Sequence, residues 1–254
     1  MRRRFPQGEE ATHDHINITG EPRAGRVDRP ASMKRRTITI AIFSCLLALC
    51  AAADARAQQF DISSGGTPTI TGTQGGMVTG NSGVLQDLVV TINFGEVSPV
   101  NQSNLVKVVV PIAIRSIAPY QVAVSVTGAF DANQQAVQPS DIGFGVRNMR
   151  QMGGKSQDCT VQHLFRSPFN NDPSAVVTLD ANGRAAYTSS LRNIAASTVI
   201  LSGPKLTKGG AIKREVDNGY IFDAIFTIKP QYYVSGTFSA TITFTISSGP
   251  IVGC

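Results

Sequence analysis

Tryptophan is absent from the 254 residues, histidine occurs three times and cysteine four. Past residue 57 only one histidine, His163, remains, with two cysteines, Cys159 and Cys254, and two glutamates, Glu96 and Glu215. One histidine and two widely separated cysteines lack the clustered spacing of a zinc site. No Gly-x-Ser-x-Gly turn is present to raise a serine nucleophile, and a lone histidine in a loop reads as a surface residue. Glycoside hydrolysis needs two carboxyl groups facing each other across a cleft, and nothing in the sequence places Glu96 beside Glu215. Asp131-Ala132-Asn133 and Asp180-Ala181-Asn182-Gly183 resemble the start of a calcium loop. Neither continues to the glutamate that closes one, and Asx residues with glycine are ordinary turn chemistry. The expectation is a non-enzymatic chain with no catalytic residue, no metal and no cofactor.

Long apolar runs are also missing, with one exception. Thr37 to Ala53 is apolar and uncharged, follows the basic cluster Met33-Lys34-Arg35-Arg36, and leads to the small-x-small site Ala55-Arg56-Ala57. A positive region, an apolar region and an A-x-A site in that order are the parts of a secretory signal peptide. The run is shorter than the ~20 residues a spanning helix needs. Residues 33–57 are therefore expected to be a signal peptide cleaved before Gln58, with the membrane met only through that segment. Arg35-Arg36 lacks the flanks of a twin-Arg signal, and Cys50 follows a bulky leucine rather than the small residue of a lipobox. The general secretory route is the expectation, to a secreted, periplasmic or cell-surface location. Residues 1–32 are polar and without periodicity, either a disordered extension or sequence upstream of a true start at Met33.

The excess of positive charge is mostly in the leader. Residues 1–57 carry ten Lys/Arg against six Asp/Glu, and residues 58–254 carry thirteen against eleven. Lys205, Lys208, Lys213 and Arg214 form the densest basic group of the remainder and read as a solvated loop. No nucleic-acid partner is expected, because phosphate binding needs cations clustered on one face. The 197 residues from Gln58 suit one domain, in a size range that buries roughly 70% of the unfolded surface. In an oxidising compartment an even pair of cysteines is expected to bond. A Cys159–Cys254 link would close a long loop, worth on the order of 4–5 kcal/mol in the chain-entropy model.

Gln58 to Gly83 is rich in Gly, Thr and Ser and reads as a flexible segment or an edge strand. From Val84 to Cys254 a single domain of short strands is expected, with period-two alternation and β-branched residues. The strands are expected at Leu88–Phe94, Leu105–Ile114, Tyr120–Val126, Ile142–Met149, Tyr220–Ile228 and Gly236–Ile246. Pro111 implies an edge or a bulge in the second of these. Glycine at alternate positions in Ile142–Met149 implies a close backbone approach or a bulge. Ala175–Leu179 and Arg184–Thr188 flank an Asn-Gly hairpin turn, and Asp217-Asn218-Gly219 repeats the signal. Met152 to Asp172 reads as a long loop, and Leu191 to Ala196 as at most one helical turn. The last strand puts Phe238, Ala240, Ile242, Phe244 and Ile246 on one face and Ser239, Thr241, Thr243 and Thr245 on the other. One buried and one wet face is the mark of an antiparallel sheet, and the pattern sums to an all-β, antiparallel β-sandwich.

Tyr233-Val234-Ser235-Gly236-Thr237-Phe238, followed by an alternating Thr-rich strand, resembles the closing segment of secreted bacterial pilin-like sandwiches, including spore-coat-U-type proteins and fimbrial subunits. The resemblance implies an immunoglobulin-like β-sandwich that serves in adhesion or surface assembly, with other surface or pilus-type subunits as partners. A strand donated by Gln58–Gly83 to a neighbour fits that picture. The alternative function is an extracytoplasmic carbohydrate-binding module, with Tyr232 and Tyr233 as a stacking platform for a sugar.

Overall fold

Period-two alternation runs through much of the sequence past residue 84, and among the described residues the backbone forms thirteen strands. The computed structural model describes residues 58–254 except 73–75, 82–85, 96, 98–104, 130–135, 160–161, 213, 215–217, 232–238 and 254. In chain order the strands are β1 (Phe60–Ser64), β2 (Thr69–Thr71), β3 (Met77–Asn81), β4 (Asp87–Asn93), β5 (Val106–Ser116), β6 (Tyr120–Ala129) and β7 (Ile142–Gln151). They continue with β8 (Leu164–Phe165), β9 (Thr178–Leu179), β10 (Ala185–Ala186), β11 (Thr198–Gly203), β12 (Tyr220–Ile228) and β13 (Ser239–Ser248). Among the described residues there is no α-helix, only short 3-10 turns such as Pro139–Asp141 and Leu191–Asn193.

Two antiparallel sheets share one core. The first runs β1-β5-β12-β7, with β2 also on β5, and the second runs β3-β4-β13-β6-β11-β8. Ile62, Val108, Ile112, Phe144 and Phe222 of the first pack in one cluster with Leu88, Val90, Val122, Ile242 and Phe244 of the second. The rings of Phe144 and Phe222 lie 6.4 and 6.5 Å from that of Phe244, within the range of favourable aromatic pairs. The residues from Arg56 to Cys254 form one compact unit.

The described residues of 58–83 include the edge strands β1, β2 and β3. β1 and β2 lie end to end along β5, pairing Phe60 with Ser116 and Thr71 with Lys107. Between them four residues, 65–68, oppose only Val110 and Pro111, and the Gly65 amide donates to the Pro111 carbonyl at 2.9 Å. Proline cannot donate to a ladder, so the extra residues bulge out at the one point of β5 that has no N–H to offer. β5 itself is central. The implied bulge therefore lies in the partner strand.

The glycines of β7 have a different cause. A Cβ on Gly145 would strike the Asn171 carbonyl and Pro173, and one on Gly143 would strike Tyr187 and Thr227. The segment 169–174 crosses the outer face of the first sheet here, tied down by Lys107 Nζ to Asp172 Oδ2 at 2.6 Å. Together with Ser189 it protects the free edge of β7, whose Val146 and Phe144 amides donate to the carbonyls of Phe169 and Ser189. Covered on both faces, β12 is buried at nearly every position. The Asn-Gly hairpin forms as expected, with Gly183 at φ 74° between β9 and β10. Asn218-Gly219 makes no hairpin, because β11 lies in the second sheet and β12 in the first.

Candidate functional site

The first functional place is the outer edge of the first sheet, built by β1. Phe60 and Ile62 point into the core, 5% and 0% exposed. Alternation sends Asp61 to the opposite face, yet it too is fully buried. Its Oδ2 accepts from Arg115 Nη1 at 3.0 Å, and its Oδ1 accepts from Arg214 Nε at 2.9 Å and Arg214 Nη2 at 2.5 Å. Arg115 also donates to Ser63 Oγ, and Gln58 Nε2 reaches Asp61 Oδ1 at 3.3 Å. The hydrogen bonds that Arg214 donates to Asp61 raise Arg214 above its ordinary value. The clamp joins β1, β5 and a loop 153 residues away in sequence. A buried carboxylate without cations would be strongly unfavourable, so only one register of β1 is acceptable. Arg214 belongs to the basic group that reads as a solvated loop; in the fold it is consumed by this pair.

The second place closes one end of the shared core. Here the expected surface histidine is wrong: His163 is 8% exposed. Its Nδ1 lies 3.0 Å from the hydroxyl of Tyr120, the first residue of β6, and its ring centroid lies 4.6 Å from that of Tyr220, the first residue of β12. It is thus wedged between a tyrosine of each sheet. Gly203 at the end of β11 makes the room, since a Cβ there would sit 2.6 Å from Nδ1. The Tyr220 hydroxyl donates to the Gln157 carbonyl and accepts from Gln151 Nε2 at 3.1 Å and the Cys159 amide at 3.4 Å. Burial pushes His163 down to about 4. Tyr120 is raised well above its ordinary value, by burial and then by Tyr220. No carboxylate orients the ring and no serine faces it among these contacts, so the cluster lacks the parts of a nucleophile–base–orienter array.

Cys159 is buried next to this cluster, and Cys254 lies outside the described residues. The end of β13 reaches the same end of the fold. Ser248 at the end of β13 pairs with Tyr120, and Gly249 N donates to the Pro119 carbonyl. Tyr232 and Tyr233, the proposed sugar platform, also lie outside the described residues. Among the described residues no group of three or more His, Cys, Asp or Glu could hold a metal ion, and no helix is long and apolar enough to cross a membrane. No family model matches the chain, and no curated protein or solved structure matches it.

The Asp61 clamp has only a faint trace in the sequence. It is one acid between Phe60 and Ile62, and one arginine at the end of the apolar run Val106–Ser116. Its third member, Arg214, is visible only in three dimensions.

Proposed function

We propose that this chain is an exported, non-enzymatic structural module of the periplasm or cell surface. In this reading it has an immunoglobulin-like sandwich and associates with further copies or pilus-type subunits through its N-terminal strand. The observation that carries the reading is the position of β1. It is the first element of the described chain, immediately follows the expected cleavage site at Gln58, and among the described strands forms its ladder with β5 alone. It nevertheless supplies two core side chains and the buried acid of the clamp. Exchanging an identical element between copies keeps every contact it makes, so it is a low-cost route to association. Gly72, at φ 85° just beyond β2, gives the chain a turn where the exchanged segment would part from the body.

A Cys159–Cys254 bond belongs to the same reading. Its support is the burial of Cys159, the end of β13 lying at the same end of the fold, and the oxidising destination implied by the leader.

The test is a chain that starts at Val84, mixed with a synthetic peptide spanning residues 58–81. Without the peptide, the groove loses Phe60 and Ile62, whose burial is worth about 1.5–3 kcal/mol each, and the chain should melt early or aggregate. With it, native mass spectrometry should find a one-to-one complex and restored melting, while an Asp61→Leu peptide should fail. A Val84 chain that is as stable as the full one and ignores the peptide would remove β1 as the joining element.

A further inference from the structure

We propose that the turn Asn182-Gly183 is a site of spontaneous covalent rearrangement, and that the fold spares the other Asn-Gly pair of the chain, Asn218-Gly219. In this reaction the Gly183 backbone nitrogen attacks the side-chain carbonyl carbon of Asn182. The N–Cγ bond forms, the Cγ–Nδ2 bond breaks, and Nδ2 leaves as ammonia with the proton that the Gly183 amide gives up. Water then opens the five-membered imide. Opening at Cγ gives an ordinary aspartate, and opening at the main-chain carbonyl gives an isoaspartate whose backbone runs through Cγ. Asparagine is among the thermolabile residues, and a following glycine favours the attack because no Cβ crowds the nitrogen.

The two pairs have the same local chemistry and opposite surroundings. Asn182 and Gly183 are exposed at the tip of the β9–β10 hairpin, and a Cβ on Gly183 would meet nothing within 4 Å. Among the described residues no hydrogen bond holds the Asn182 side chain. One restraint bears on the attacking nitrogen: the Gly183 amide donates to the Asp180 carbonyl at 3.0 Å. That bond closes a turn on a ladder of two rungs, Ala185 with Leu179 and Ala186 with Thr178. Exposed tips on short ladders open locally, well below the global stability.

Asn218, by contrast, is 5% exposed, and its Nδ2 donates to the Ala211 carbonyl at 3.3 Å. The Gly219 carbonyl accepts from the Met152 amide at 2.9 Å and from Ser156 Oγ at 2.6 Å. Its Cα lies so close to β5 that a Cβ would sit 2.2 Å from the Ile114 carbonyl oxygen. Ring closure must swing the asparagine side chain and the next peptide plane together, and here neither moves without breaking the start of β12. The product at Asn182 is felt beyond its turn. The Gly183 carbonyl accepts from Gln231 Nε2 at 2.8 Å, the Arg184 amide donates to Asp180 Oδ1 at 2.8 Å, and Arg184 Nε donates to the buried Asp141 at 3.0 Å. An isoaspartate lengthens the backbone just before these ties, and either product adds a negative charge beside Asp180. The hairpin should loosen while the long ladders of β12 with β5 and β13 with β6, which do not include it, stay closed.

Incubation of the Gln58–Cys254 chain in mildly alkaline buffer, followed over time by peptide mass spectrometry, tests this. The peptide with Asn182 should exchange ammonia for water in its mass and resolve into aspartate and isoaspartate forms. It should do so at least about tenfold faster than the peptide with Asn218, a gap that needs only about 1.4 kcal/mol of opening at the buried pair. In guanidinium, where neither pair is folded, the two rates should converge. Equal rates in the folded chain overturn the proposal, as does an Asn182 that stays unchanged in the folded chain while it converts in guanidinium. A gap that persists in guanidinium would assign the difference to sequence and overturn the protection of Asn218.

Discussion

Asp61 sits between two core residues on an edge strand, where alternation would send it to water. It is buried with Arg115 of β5 and Arg214, 153 residues on in sequence, both paired to its carboxylate. Removing the acid alone leaves the Arg115 guanidinium buried and uncompensated, and losses of about 3–5 kcal/mol follow from breaking a buried pair on one side. Asp61→Ala should therefore lower the unfolding free energy by an amount in that range in a urea melt. Asp61→Leu combined with Arg115→Met should recover most of it, since a well-packed apolar pair does not carry the desolvation penalty. A loss below 1 kcal/mol in the single variant would mean that solvent reaches the clamp. Neither Asp61 nor His163 was legible from sequence as a buried group. Local pattern describes which face a side chain takes, and both residues are covered by segments distant in the chain.

Strands with strong alternation were legible, with ends displaced by up to three residues, as where β6 runs on to Ala129 and β13 to Ser248. Tyr120, Val122 and Val124 of β6 and Ala240, Ile242, Phe244 and Ile246 of β13 are all buried, with the threonines of β13 on the wetter face. The weaker elements were not. β11, Thr198–Gly203, is a short β-branched run that carries no alternation, and β8 is two residues inside a long irregular stretch. Gly143 and Gly145 signalled a close approach, but the visitor, segment 169–174, has no local signature of its own. The end of β13 and the segment after β7 also meet only in three dimensions. That proximity makes a specific expectation for the cysteines: alkylation of the denatured, unreduced Gln58–Cys254 chain should find no free thiol, and reduction should free two. Two free thiols without reduction would rule out the Cys159–Cys254 bond.

At the scale of the molecule, the sequence pattern yielded an all-β chain with antiparallel sheets and left the strand order open. Strand order depends on which strands pair across long separations, such as β1 with β5 and β4 with β13. Those pairings give the N-terminal segment its importance, because it lies on the outer strand of each sheet: β1 and β2 on the first, β3 on the second. β3, Met77–Asn81, carries no charge and no proline, the usual protections of an edge, and Met77 is largely exposed. The edge of β7, by contrast, is covered by its own loops.

Seating of β1 in a neighbour rather than in its own chain is the central claim, and a mixed-chain cross-link tests it most directly. Ser63 and Ala113 are register partners in β1 and β5, so one preparation carries Ser63→Cys and the other Ala113→Cys. The two are co-assembled and oxidised mildly, then separated without reductant. The account predicts a disulfide-linked dimer containing one chain of each kind, absent when either variant is oxidised alone. Only unlinked chains, in a preparation whose double variant forms the bond within itself, would show that β1 stays with the chain that made it.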